Sequence, residues 1–196
     1  ISLGTEDYQR LCSHRVTDEL GTALKRCIIR EDLLMEGRLS ISFVVDSSLR
    51  AGSYRMTAQM QQKHIPEQNE PVSHDTMAQT IVLERPSMRD VRCLDLPPEH
   101  ELAMLTVLSG ADEGITMLLG ERKIYMGRMP RNEFILTDTN VSRVHAWISY
   151  EQHRHMLYDA ESRNGTFVDG RRIEMQCLRN GDEICLGTTA LRYEVC

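Results

Sequence analysis

Three phenylalanines and one tryptophan are too few to build a core for 196 residues, so aliphatic side chains and eleven methionines must fill it. No run of about 18 apolar residues occurs and no basic-then-apolar segment opens the chain, so direct membrane insertion by a helix is not expected. The six cysteines (Cys12, Cys27, Cys93, Cys177, Cys185 and Cys196) include no C-x-x-C pair, and no histidine stands at zinc-finger spacing beside them. Free thiols in a reducing, cytoplasmic setting are expected, with no metal site. An excess of basic residues is also missing. The net charge is −6, which disfavours general binding to nucleic acid or anionic membrane. Residues 101–196 carry 11 basic and 14 acidic groups, so any anion site there must be a local patch.

What the chain does contain divides into three textures. Residues 1–61 read as strand, helix, strand, strand. Ile1-Ser2-Leu3 alternates, and Thr5 is a candidate N-cap. Leu11, Val16, Leu20, Ala23, Leu24, Cys27 and Ile28 then recur at helical spacing, predicting one amphipathic helix over roughly 6–30. Leu39, Ile41 and Phe43 lead into Val44-Val45 as one strand, with Tyr54, Met56 and Ala58 as another. This is a small α+β domain, and about 60 residues bury only a marginal core. The chain opens on Ile1 rather than Met, so a fragment or processed product is expected, with preceding sequence belonging to the same domain. Residues 62–100 hold Pro66, Pro71, Pro86, Pro97 and Pro98 among polar residues and read as a flexible linker. From 101 to 196, short alternating strands recur every eight to twelve residues with Asn-Gly and Asp-Gly turns between them. That texture predicts an all-β antiparallel sandwich.

Within the sandwich, four short phrases fall in order: Gly127-Arg128, Ser142-Arg143-Val144-His145, Asn164-Gly165-Thr166 and Asp169-Gly170. Each stands beside turn signals, where side chains converge at strand tips. Two guanidinium forks, a hydroxyl and an amide together form a socket for a phosphate. A phosphorylated threonine brings roughly −1.5 to −2 charge and three strong acceptor oxygens, and arginine forks match those oxygens bidentately.

On these residues the segment from near Leu102 to Cys196 resembles the forkhead-associated (FHA) domain, a phosphothreonine-binding β-sandwich. The family pattern is Gly-Arg, then Ser-x-x-His, then Asn-Gly with a second glycine, and every element is present. The resemblance implies that Arg128, Ser142, Arg143 and Asn164 contact a phosphopeptide. It gives Gly127, His145, Gly165, Thr166 and Gly170 structural roles. His145 would bond to backbone and hold the loop that carries Ser142. Arg163 departs from the family, where a small Ser or Thr often precedes Asn-Gly, and an arginine there favours acidic residues after the phosphothreonine. Residues 1–61 are more loosely similar to part of the small N-terminal α/β domain of certain actinobacterial FHA proteins linked to serine/threonine kinase signalling and cell-wall assembly.

Other readings of the same residues compete. Ser142, His145 and Asp138 or Asp159 suggest a hydrolase, but no G-x-S-x-G elbow accompanies them. His153, Arg154 and His155 read as a solvated hairpin tip in preference to a metal site. The reading is therefore a non-enzymatic, cofactor-free adaptor whose partners are a serine/threonine kinase and phosphothreonine-containing proteins. Two alternatives remain open. One is a self-inhibited kinase substrate, with phosphorylated Thr76 or Thr80 of the linker occupying the chain's own pocket. The other is a regulatory fragment of a larger enzyme.

Overall fold

The computed structural model describes residues 1–59 and 100–196. Alternation of apolar and polar residues builds two packed sheets from the C-terminal part. One has six strands: β4 (Ala103–Ser109), β5 (Thr116–Leu119), β10 (Thr166–Val168), β11 (Arg171–Ile173), β13 (Glu183–Leu186) and β14 (Thr189–Val195), in the order β11-β10-β13-β14-β4-β5. The other has five: β6 (Ile124–Gly127), β7 (Phe134–Ile135), β8 (Ala146–Glu151), β9 (Arg154–Asp159) and β12 (Met175–Cys177), in the order β12-β9-β8-β6-β7. All pairs in both sheets are antiparallel except β6 with β7. Inward residues of the two sheets form one core, including Leu105, Met126, Phe134, Ile148, Leu157, Ile184 and Tyr193. The sandwich expected from the sequence is the fold observed, preceded by a small helical and β part.

In that first part, β1 (Ser2–Leu3) lies between β2 (Val44–Val45), parallel, and β3 (Tyr54–Arg55), antiparallel. The single helix expected over 6–30 is two: α1 (Thr5–Leu11) and α2 (His14–Arg30). Ser13 causes the break. Its hydroxyl accepts from Val16 N at 3.3 Å and caps a new helix, satisfying a donor left free by the first turn. Thr5 is not the N-cap of α1; that position is Gly4, which sits too close to Leu49 O for a side chain, an added Cβ lying 2.9 Å from it. Residues 39–43, expected to start a strand, have no regular structure, and pairing begins only at Val44.

Residues 1–58 and the sandwich form one compact unit. Ile29 of α2 joins the sandwich core. Around it, Arg26 donates to Glu101 O and Arg30 to Cys196 O, while Lys25 pairs with Glu121. Arg154 pairs with Asp32, which also meets Arg179 at 3.1 Å. These partners lie just before β4, between β5 and β6, at the start of β9 and just after β12 and β14. The tip holding His153 and Arg154, expected to be solvated, is therefore a junction: His153 Nε2 donates to Gly37 O at 2.7 Å. His155 is fully buried, with Nε2 donating to Gly120 O at 2.9 Å and Nδ1 accepting from the Tyr193 hydroxyl at 2.7 Å. Burial lowers its pKa despite the bond to Gly120. The linker expected at 62–100, with Thr76, Thr80 and the apolar run after it, lies outside the described residues apart from His100.

Candidate functional site

Three loops at one end of the five-stranded sheet enclose a groove of about 870 Å³: β6–β7, β7–β8 and β9–β10. The first two are fastened by backbone. Arg128 N donates to Ser142 O and Met129 N to Arg143 O, each at 3.0 Å. The buried Asn132 amide adds a bond to Arg143 O at 2.8 Å. Gly127 must be glycine for this closure, because a Cβ there would lie 2.6 Å from Arg143 O and 2.9 Å from Ser142 O.

His145 ties the second loop to the third. It is fully buried; its Nδ1 accepts from Ser142 N at 3.0 Å, and its Nε2 faces Gly165 O at 3.2 Å. An acceptor at Nδ1 and a carbonyl opposite Nε2 define the neutral ring with its proton on Nε2. Burial lowers its pKa, opposed by the bond to Gly165 and by the charges of Asp159 and Asp138. Gly165 has φ +83°, and Thr166, also fully buried, donates to Asp159 at 2.7 Å. Asp159 further accepts from Ser162 N at 3.0 Å and Ser162 Oγ at 2.6 Å, which shapes the third loop. Gly170 stands elsewhere: with Asp169 it supplies the two positive-φ residues (49° and 75°) that turn β10 into β11.

A second brace lies below the groove. Asp138 is 8% exposed and accepts from Asn140 N at 2.8 Å and from Thr188 N and Oγ1, both at 2.7 Å. Burial would raise its pKa, but these hydrogen bonds win and hold it down at about 2.

Of the residues expected to bind, Arg128, Ser142, Arg143, Arg163 and Asn164 all line this one groove. The four guanidinium groups of Arg128, Arg131, Arg143 and Arg163 have no side-chain hydrogen bond or ion pair with a described residue. Ser142 Oγ accepts from Arg163 N at 3.0 Å, leaving its proton for a ligand. Asn164 Nδ2 donates to Asn140 O at 2.7 Å, so its carbonyl oxygen is the free end. Arg131, Asn140 and Glu161 also line the groove and were missed by sequence reasoning. The turn texture of Met129-Pro130-Arg131-Asn132 was the available signal. Among the described residues, no group of three or more His, Cys, Asp or Glu could hold a metal ion.

The family profile described as the cytoplasmic domain of an inner-membrane component of the type III secretion system, Yop-YscD, matches residues 106–194. The oxoglutarate dehydrogenase inhibitor of Corynebacterium diphtheriae is 32% identical over 99 residues, covering 50% of this chain and 69% of that protein. A solved phosphothreonine-dependent FHA domain is 32% identical, with TM-score 0.45, covering 47% of this chain and 95% of that one. The chain belongs to the forkhead-associated domain family. Its FHA domain is also similar to the glycogen accumulation regulator GarA of Mycobacterium tuberculosis, at 36% identity over 98 residues, which is 50% of this chain. The match spans 59% of the length of GarA. Among the described residues, no helix is long and apolar enough to cross a membrane.

Proposed function

We propose that this chain is a phosphothreonine-peptide-binding adaptor in serine/threonine kinase signalling. The observation that carries the proposal is the convergence of Arg128, Arg143, the Ser142 hydroxyl and Asn164 on one groove, with both guanidinium forks unpaired among the described residues. Charge-assisted bonds from such forks are roughly twice as strong as neutral ones. The loops are already braced through His145, so binding orders little backbone. Met129 and Val144 provide apolar wall for the threonine γ-methyl, a group worth about 1–3 kcal/mol against serine.

A hydrolytic reading fails on geometry. His145 meets the backbone N–H of Ser142, while Ser142 Oγ is bonded to Arg163 N, so these two side chains do not form a nucleophile–base pair. The relatives' names, a regulator and an inhibitor, support binding over catalysis. The partners in this reading are a kinase and its phosphorylated substrates in the cytoplasm, with cell-wall assembly as the setting. Residues 1–61, 62–100 and 101–196 serve as accessory domain, linker and reader.

The test is calorimetric titration of the full chain with matched phosphothreonine, phosphoserine and unphosphorylated peptides drawn from an array. Binding confined to phosphothreonine peptides is expected. Equal binding of the unphosphorylated set rejects the proposal.

A further inference from the structure

The groove carries more positive charge than one phosphothreonine neutralises. Arg128, Arg131, Arg143 and Arg163 line it against a single acid, Glu161, on a chain whose net charge is −6. A phosphothreonine brings roughly −1.5 to −2, which leaves about one positive charge unmatched. The surplus has a location. Arg131 lies three residues beyond Arg128 on the first loop, next to the buried Asn132 that fixes that loop to Arg143 O. Arg163 stands on the third loop, held through its backbone N–H to Ser142 Oγ. Both side chains are exposed and lack a partner among the described residues, although each loop beneath is fastened by hydrogen bonds.

We infer that the groove recognises a phosphothreonine accompanied by a second anionic side chain, and that Arg131 and Arg163 receive that second charge. The inference rests on the phosphothreonine reading above. A carboxylate and a second phosphate present the same chemistry, since both offer paired oxygens to a guanidinium fork. The four arginines select against a cationic ligand residue, which would gain only Glu161 as a partner and face four like charges.

The full chain is titrated by fluorescence anisotropy, at low and high salt, with equal-length phosphothreonine peptides. Their flanking residues are alanine, glutamate, lysine or a second phosphothreonine, and an unphosphorylated glutamate peptide completes the set. At least one of the doubly anionic peptides should bind about five- to twentyfold more tightly than the alanine peptide at low salt, and the lysine peptide more weakly. The advantage should shrink at high salt and fall to about twofold or less in Arg131→Gln/Arg163→Gln. An advantage for glutamate assigns a carboxylate; an advantage for the diphosphorylated peptide alone assigns a second phosphate. Equal affinity of the alanine, glutamate and diphosphorylated peptides overturns the inference while leaving phosphothreonine reading intact, as does an advantage that survives in the double variant. Tight binding of the unphosphorylated glutamate peptide overturns both.

Discussion

The two parts of this compact unit differ in how they are held together. Nineteen of the buried apolar residues belong to the sandwich, whereas residues 1–58 contribute only Leu3, Ile28 and Ile29. The same first part exposes Leu11, Leu20, Leu24, Leu33, Leu34, Val44, Val45, Tyr54 and Met56. At about 25 cal/mol per Å² of apolar surface removed from water, the sandwich is stabilised by its own interior. The N-terminal part takes its strongest apolar anchorage from Ile29, which lies in that interior. Helix α2 therefore behaves as an attachment to the sandwich, and its outward face adds little.

The sharpest way to break this contrast is Ile29→Ala. Removing a buried aliphatic side chain costs about 2–5 kcal/mol, so the melting temperature should fall on the order of 10 °C. An unchanged melt would show that α2 is held by its polar contacts alone. Arg128→Ala acts at the opposite end and should do the reverse. Phosphopeptide affinity should drop by roughly 1.5–3 kcal/mol, or about 10- to 150-fold, with the melt intact. His145→Ala joins the two effects, because it leaves Ser142 N and Gly165 O unpaired in a buried place. A stability loss of about 1–3 kcal/mol together with weaker binding is expected in melting and titration. Loss of binding without any loss of stability would make His145 a contact residue.

Asp138 gives a pH test. Its folded pKa, about 2, lies below the ordinary 3.8, so its contribution is fully present above about pH 4 and is lost as pH falls through about 2. Urea melts of the parent and Asp138→Asn should differ at pH 6 and converge as pH falls towards 2. A constant gap would show that the carboxylate's charge is not what braces the loop. The smallest effect belongs to Leu20→Ser on the outward face of α2, expected within about 0.5 kcal/mol of the parent. A large loss there would mean the exposed face is covered in solution.

Much of the sandwich was legible because half-buried strands alternate and Asn-Gly and Asp-Gly mark the connections between them, Asp169-Gly170 as a hairpin turn and the two Asn-Gly pairs as crossings between the sheets. The three-residue strands β10, β11 and β12 were not, since each is too short to display a period. The helix break at Ser13 was not read, because the apolar spacing continues past it through Val16 and Leu20. At the site, Arg128, Ser142, Arg143, Asn164 and Arg163 were identified because they sit in an ordered motif. Arg131 is brought to the groove by loop closure, and the turn texture around Pro130 does not by itself say that its side chain joins Arg128 there. The junction was hidden for a similar reason. Asp32 and Arg154 meet across 122 positions of sequence, and charges that far apart look solvated when read along the chain.

Strand β9 runs from the junction at Arg154 to Asp159, just before the groove loop, and six residues at about 3.3 Å each span about 20 Å. It acts as a fixed spacer between two ends with separate uses. The segment after α2 meets the sandwich at the Arg154 end of β9, away from a peptide seated at Arg128. The spacer is short and stiff, so the two ends keep a set separation without any added contact between them.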